Sequence, residues 1–264
     1  MPEEKPEKSS CGISKLKEPA GSFFDSRVNL FLEALYNEFR GDLMIKTIKQ
    51  QLSEILTGTK ECRKLPEDSY SHMKYPKIFS LMDFRVDRYR IEGYGHVMMM
   101  HTATKMGMEL LTVSFMPSEG LRMPYLLIDA MEMKKKSCVF AEYYGCGEND
   151  FPDEKLKSIY EQFKDLPDYK EKENWYIRER MPYSLIKSGT EEELVSMSLA
   201  SARGYLSMIP SAKKDPSYLL KLEQFRTRMI EEGNPSSKTL EMLLKKDGAL
   251  RFMKEVVMPV DQTE

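Results

Sequence analysis

This chain of 264 residues has little of what holds metals. Its four cysteines, Cys11, Cys62, Cys138 and Cys146, are scattered and form no C-x-x-C pair, and its three histidines, His72, His96 and His101, are dispersed. Neither zinc nor iron–sulfur ligation is predicted from such spacing. No apolar run approaches the roughly 18 residues of a membrane span. Met1 to Pro19 is charged and polar and lacks the apolar core of a signal peptide, so a cytoplasmic location is expected. A formal net charge of -2 supplies no whole-chain field for nucleic acid or an anionic membrane. Basic residues do not cluster with aromatics along one face either. Also missing are G-x-G-x-x-G after a strand, G-x-x-x-x-G-K-[ST], G-x-S-x-G and H-E-x-x-H, the fingerprints of dinucleotide, phosphate, serine-hydrolase and zinc-protease sites. Gly145-Cys146-Gly147 lacks the strand-to-helix setting of a phosphate cradle.

What is present is an ordinary globular composition, 41% hydrophobic and 31% charged, with enough length to bury a sizeable core. Residues 1–22 are dominated by Pro, Glu, Lys and Ser and are expected to form a disordered tail, with residues 23–264 as a single domain. Ser26 or Asp25 caps a helix bearing Val28, Phe31, Leu32, Leu35, Tyr36 and Phe39, and a second helix runs through Leu43, Ile45, Ile48, Leu52, Ile55 and Leu56 to Gly58. Residues 59–76 read as a polar connection. From Lys77 the apolar period changes to two. Strands are predicted through Ile91, then over His96 to Thr104, Met108 to Met116, Pro124 to Met133 and Cys138 to Tyr144. Beyond Gly147, helices are predicted around Leu156 to Phe163, from a Thr190 cap with Glu191 to Glu193 in the first turn, over Tyr218 to Glu232, Thr239 to Lys246 and Ala249 to Val257. The segment from Tyr176 to Lys187 looks extended. Helices, an antiparallel meander, then helices describe an α+β protein: a three-layer α/β/α sandwich with a central antiparallel sheet.

Several polar groups lie on strands that should otherwise be apolar. Asp129 follows Tyr125-Leu126-Leu127-Ile128, and a carboxylate there is costly unless paired or put to use. It either satisfies a turn at an exposed strand end or serves a site. His101, Thr102 and Thr104 lie on another strand, where His101 is equally a satisfied core or edge histidine. Thr112 and Ser114 lie on the strand between. Twenty methionines either fill the core or line a pocket for a large flat apolar ligand. Lys134-Lys135-Lys136 falls at a hairpin turn and is either a solvated edge guard or a docking point for an acidic partner.

The run LLTVSFMPSEGLRMPYLLIDAMEM resembles the central motif of the ferredoxin-dependent bilin reductases, with Asp129 five residues after Pro124. NWYIRERMPYSLIKSG is similar to that family's Trp-led segment, and LEQFRTRMIEEGNPSSKTLEMLLKKDGALRFMKEVVMP to its ending. Red chlorophyll catabolite reductase shares this fold. The resemblance covers roughly residues 77–259 and implies an open-chain tetrapyrrole held between the sheet and the C-terminal helices. It implies no bound flavin, nicotinamide or metal. Electrons would arrive singly from ferredoxin or flavodoxin while the protein supplies protons.

On this resemblance the expected catalytic residues are Asp129, His101 and Asn234. Thr112, Ser114, Met116 and Met100 are expected to contact substrate, and Lys134, Lys135 and Lys136 to receive the electron donor. The sequence departs from the family pattern at two positions. Thr112 stands where the phycocyanobilin-forming branch has a catalytic His, and an acidic proton donor becomes Ala103. A non-catalytic tetrapyrrole carrier of the same fold is the alternative reading.

Overall fold

Alternating side chains build the centre of this molecule, and two helical layers bury both sides of it. The computed structural model describes residues 44–76, 80–118, 120–133, 136–145, 154–234 and 236–259. All of them belong to one compact unit, Asp42–Glu264. The expected tail, the helix from residue 25 or 26, the boundary at residue 23, Lys134 and Lys135 lie outside the described residues.

Eight strands form one antiparallel sheet: β1 (Cys62–Lys64), β2 (His72–Tyr75), β3 (Met82–Ile91), β4 (Gly95–Thr104), β5 (Glu109–Pro117), β6 (Tyr125–Met133), β7 (Lys136–Tyr144) and β8 (Leu185–Ser188). Their order is β1-β3-β4-β5-β6-β7-β8, with β2 also paired to β3. Five helices are described: α1 (Met44–Gly58), α2 (Glu154–Phe163), α3 (Glu191–Leu206), α4 (Pro216–Glu231) and α5 (Ser237–Phe252).

The period of two sorts β4 to β7 into two cores. Met99, Leu111, Val113, Phe115, Ile128, Ala130 and Val139 face one side and pack with α1, α2 and α3. Met98, Met100, Met116, Tyr125 and Tyr144 face the other and pack with α4, α5 and the turn after it. Covering both faces makes a strand read as a continuous apolar run, as β5 does. Helix α1 presents Met44, Ile45, Ile48, Leu52 and Leu56 as one buried stripe, each large aliphatic side chain contributing about 1.5–3 kcal/mol by leaving water. A capping box starts α3: Glu193 N–H donates to Thr190 Oγ1, and Thr190 N–H donates to the Glu193 side chain.

Three differences from the sequence reading stand out. The polar connection contains β1 and β2, which are short and mostly exposed and add to β3 through backbone bonds. Within the extended segment after Trp175, residues Trp175–Glu179 form a 3-10 turn and only Leu185–Ser188 are strand. The last two expected helices run on as one α5, broken at Lys245 (φ 61, ψ 168), and end in a wider π turn over Met253–Val257.

At the β3–β4 hairpin, Gly95 has φ +149, and a Cβ there would lie 2.2 Å from the Met116 carbonyl oxygen and 2.9 Å from Ser118 N. Both obstacles are backbone, so neither can rotate away. Gly95→Ala is expected to destabilise the fold by about 2–3 kcal/mol, read as a lower urea midpoint at unchanged slope. An unchanged midpoint would contradict this packing.

Candidate functional site

Along β6, Tyr125, Leu127 and Asp129 share the face covered by α4 and α5. Asp129 is not at the strand end: β6 continues to Met133. Its partner across β5 is Thr112, whose Oγ1 donates to Asp129 Oδ1 at 2.5 Å. The pair forms the polar floor of a cleft lined by Met100, Tyr125, Leu127, Met229, Asn234, Ser236, Leu240, Met253 and Val257. The cleft holds about 420 Å³ of empty space with its open side included, so only part of that space is enclosed.

Asp129 is half-buried by surface area, because its remaining surface faces the cleft. Burial pushes its carboxyl from 3.8 up to about 7; the Thr112 hydrogen bond works against this, and the Glu142 charge adds to it. An acid so placed is divided between its two forms near neutrality. It can hold a proton against a ligand and give it up.

Asn234 hangs over this floor from the loop between α4 and α5. Its Oδ1 accepts from Ser236 N–H at 2.9 Å, and its Nδ2 lies 3.4 Å from the Met229 carbonyl and 3.7 Å from Met253 Sδ. The amide is therefore held by its own loop and by α4. It orients; it does not titrate.

Four of the expected site residues, Asp129, Thr112, Asn234 and Met100, meet in this cleft. Ser114 and Met116 lie further along β5 on the same face. Ser114 Oγ donates to the Val257 carbonyl and so fastens the closing π turn to the sheet. His101 is not in the cleft. It shares its side of the sheet with Met99 and Leu111, and its Nε2 lies 2.9 Å from the buried Glu109. Ala103 lies on that side too, opposite Glu109, so neither supplies an acid here. Thr102 is the β4 residue beyond Met100 on the cleft side, and its hydroxyl is buried with no hydrogen-bond partner among the described residues. Lys136 begins β7.

Sequence reading missed Tyr125, Leu127, Met229, Ser236, Leu240, Met253 and Val257. Tyr125 and Leu127 are four and two positions before Asp129, and period two would have found them. Met253 and Val257 are spaced by four on the closing segment, but only the packing aims them at Asp129.

Among the described residues no group of three His, Cys, Asp or Glu side chains is placed to hold a metal ion, and no helix is long and apolar enough to cross a membrane. No protein-family model and no curated protein sequence matches the chain. Among the solved structures that are similar is tomato phytochromobilin synthase in complex with biliverdin, with a TM-score of 0.65 and 14% identity, over 79% of this chain and 82% of that one. At that identity the likeness establishes the fold.

The raised Asp129 value has a consequence for stability. The unfolded chain releases this proton near 3.8 and the folded one near 7, so stability is fully present below the lower value and falls as pH rises through the upper, by at most about 1.4 kcal/mol per pH unit. Asp129→Asn removes that dependence. Urea unfolding at pH 4.5, 6 and 8 should show the variant gaining steadily on the native chain up to about pH 7 and not beyond. A constant difference across that range would rule out the raised value.

Proposed function

We propose that this protein reduces an open-chain tetrapyrrole of the biliverdin type, with electrons delivered singly by an external ferredoxin or flavodoxin and protons passed through Asp129. The observation that carries this reading is the Asp129 carboxyl, hydrogen-bonded to Thr112 and poised near neutrality, on the floor of a cleft walled by Met100, Met229, Met253 and Tyr125. A conjugated tetrapyrrole offers a flat apolar body to such walls and a row of nitrogens to such a floor. Reducing one of its double bonds takes two electrons and two protons. An acid matched to the working pH is the group best able to protonate the singly reduced ligand without being lost to solvent beforehand. The fold is shared with a protein whose solved structure holds biliverdin.

The cleft is small for a whole tetrapyrrole, so its helical wall moves outward on binding. The break at Lys245 and the π turn at Met253–Val257 are where that wall already departs from a regular helix. The basic run Lys134 to Lys136 is the proposed contact for an acidic donor, and such docking weakens with salt.

One observation favours the carrier alternative: Asp129 is the only carboxyl among the described lining residues, and Thr112 and Asn234 cannot act as acids near neutrality. Anaerobic absorbance titration with biliverdin, followed by a ferredoxin-reducing system, separates the two. A reductase gives a perturbed bilin band that converts to a blue-shifted product. Asp129→Asn should keep binding within a few-fold, slow conversion by about 100-fold or more, and let a one-electron-reduced intermediate accumulate. Binding without conversion would favour the carrier, and no spectral change on adding bilin would remove both readings.

A further inference from the structure

A second carboxylate lies on the cleft side of the sheet, outside the cleft. Glu142 of β7 is paired with Leu127, and Asp129 with Phe140, so Asp129 and Glu142 are diagonal neighbours on one face, roughly 7–8 Å apart in such a ladder. Glu142 is 5% exposed at its side chain. Its Oε1 accepts from Tyr144 Oη at 2.8 Å and from Arg180 Nη2. Arg180 is not Glu142's alone: it also donates to Glu171 through Nη1 at 2.7 Å and Nη2 at 2.9 Å. One guanidinium between two carboxylates leaves a net negative charge beside the cleft.

We infer that Glu142 is a positioning residue that sets how tightly Asp129 holds its proton, and that Arg180, shared with Glu171, fixes how much of the Glu142 charge Asp129 meets. This rests on reading Asp129 as the acid of the site. The surroundings leave few competitors. Tyr125 and Tyr176 face this region as neutral phenols. Thr112, Asn234 and Ser236 do not titrate, and the α4, α5 and π-turn residues lining the cleft carry no charge. On α4, Phe225 stacks on Tyr144 with ring centroids 4.8 Å apart, while Arg228 is engaged by Glu179 at 2.5 Å and Glu232 at 2.7 Å. Burial lifts Glu142 above its ordinary value, and Arg180 and Tyr144 work against that rise; the ion pair with Arg180 is the contact that favours the charged form of Glu142. The bilin does not enter this argument, so it applies to the ligand-free chain.

The test is the titration midpoint of Asp129 in the full ligand-free chain, read from its carboxyl infrared band and assigned by the loss of that band in Asp129→Asn. Glu142→Gln keeps an acceptor for Tyr144 and Arg180 and removes only the charge. It should lower the midpoint by about one to two pH units, the size expected of unit charges at this separation in a protein interior. A role confined to holding the Trp175–Glu179 turn on the sheet would leave the midpoint in place, and that result overturns the inference. Should Glu142→Gln fail to fold, Glu171→Gln decides, because its side chain is more exposed at 22%. It should lower the midpoint by a smaller amount, and no shift overturns the inference. Because no bilin is present, failure of the reductase reading leaves this outcome untouched.

Discussion

The hydrogen bond from Thr112 to Asp129, set across two central strands, is the constraint on which the cleft depends. A carboxyl there has given up most of its water for one hydroxyl. That exchange is unfavourable for the charged form, and the group answers by keeping its proton to a higher pH. A fold that only needed stability would put an apolar residue at this point of β6, as it does at Leu127 and Ile128. The carboxyl is tolerated because the opposite face of the same strands is secured by other means.

Those means are visible in how the two cores divide the work. The side with α1, α2 and α3 is closed by regular helices: a continuous stripe on α1, a capping box on α3, and Tyr205 reaching Tyr94 at 3.0 Å and the Pro124 carbonyl at 2.5 Å. The other side carries the irregular features, the Lys245 break, the π turn and the Asn234 loop. Ser114 ties this cover to the sheet through the Val257 carbonyl, Trp175 holds the Gly233 carbonyl, and Arg226 of α4 joins parts of the cover to each other through the carbonyls of Met258 and Lys254. Asp129 lies between the regular side and this irregular cover. A cover with breaks in its helical geometry suits the proposed enclosure of a large flat ligand.

Much of this was readable before any coordinates. The period-two pattern from Met82 onward, the α1 stripe and the Thr190 cap followed from local rules, and Asp129 stood out because an ionisable group on an apolar strand conflicts with its surroundings. What escaped was set by distance or by parity. His101 and Met100 are adjacent in sequence and lie on opposite faces, so assigning a site residue one position off moves it through the sheet. β1 and β2 are too short and too polar to show a period. The link of Glu142 to Arg180 spans 38 residues, and nothing local marks either as the other's partner. The walls from Met229, Leu240 and Met253 exist only once α4 and α5 are folded back over the sheet.

The central claim is that a tetrapyrrole binds with its nitrogens against Asp129, between the sheet and the α4–α5 wall. A crystal structure of the biliverdin complex tests it most directly. The account predicts the pyrrole nitrogens within hydrogen-bond reach of the Asp129 carboxyl, Met100 and Tyr125 against the ring plane, and α5 displaced outward about Lys245. Biliverdin found elsewhere on the molecule, or in the cleft with its nitrogens turned from Asp129, would contradict it.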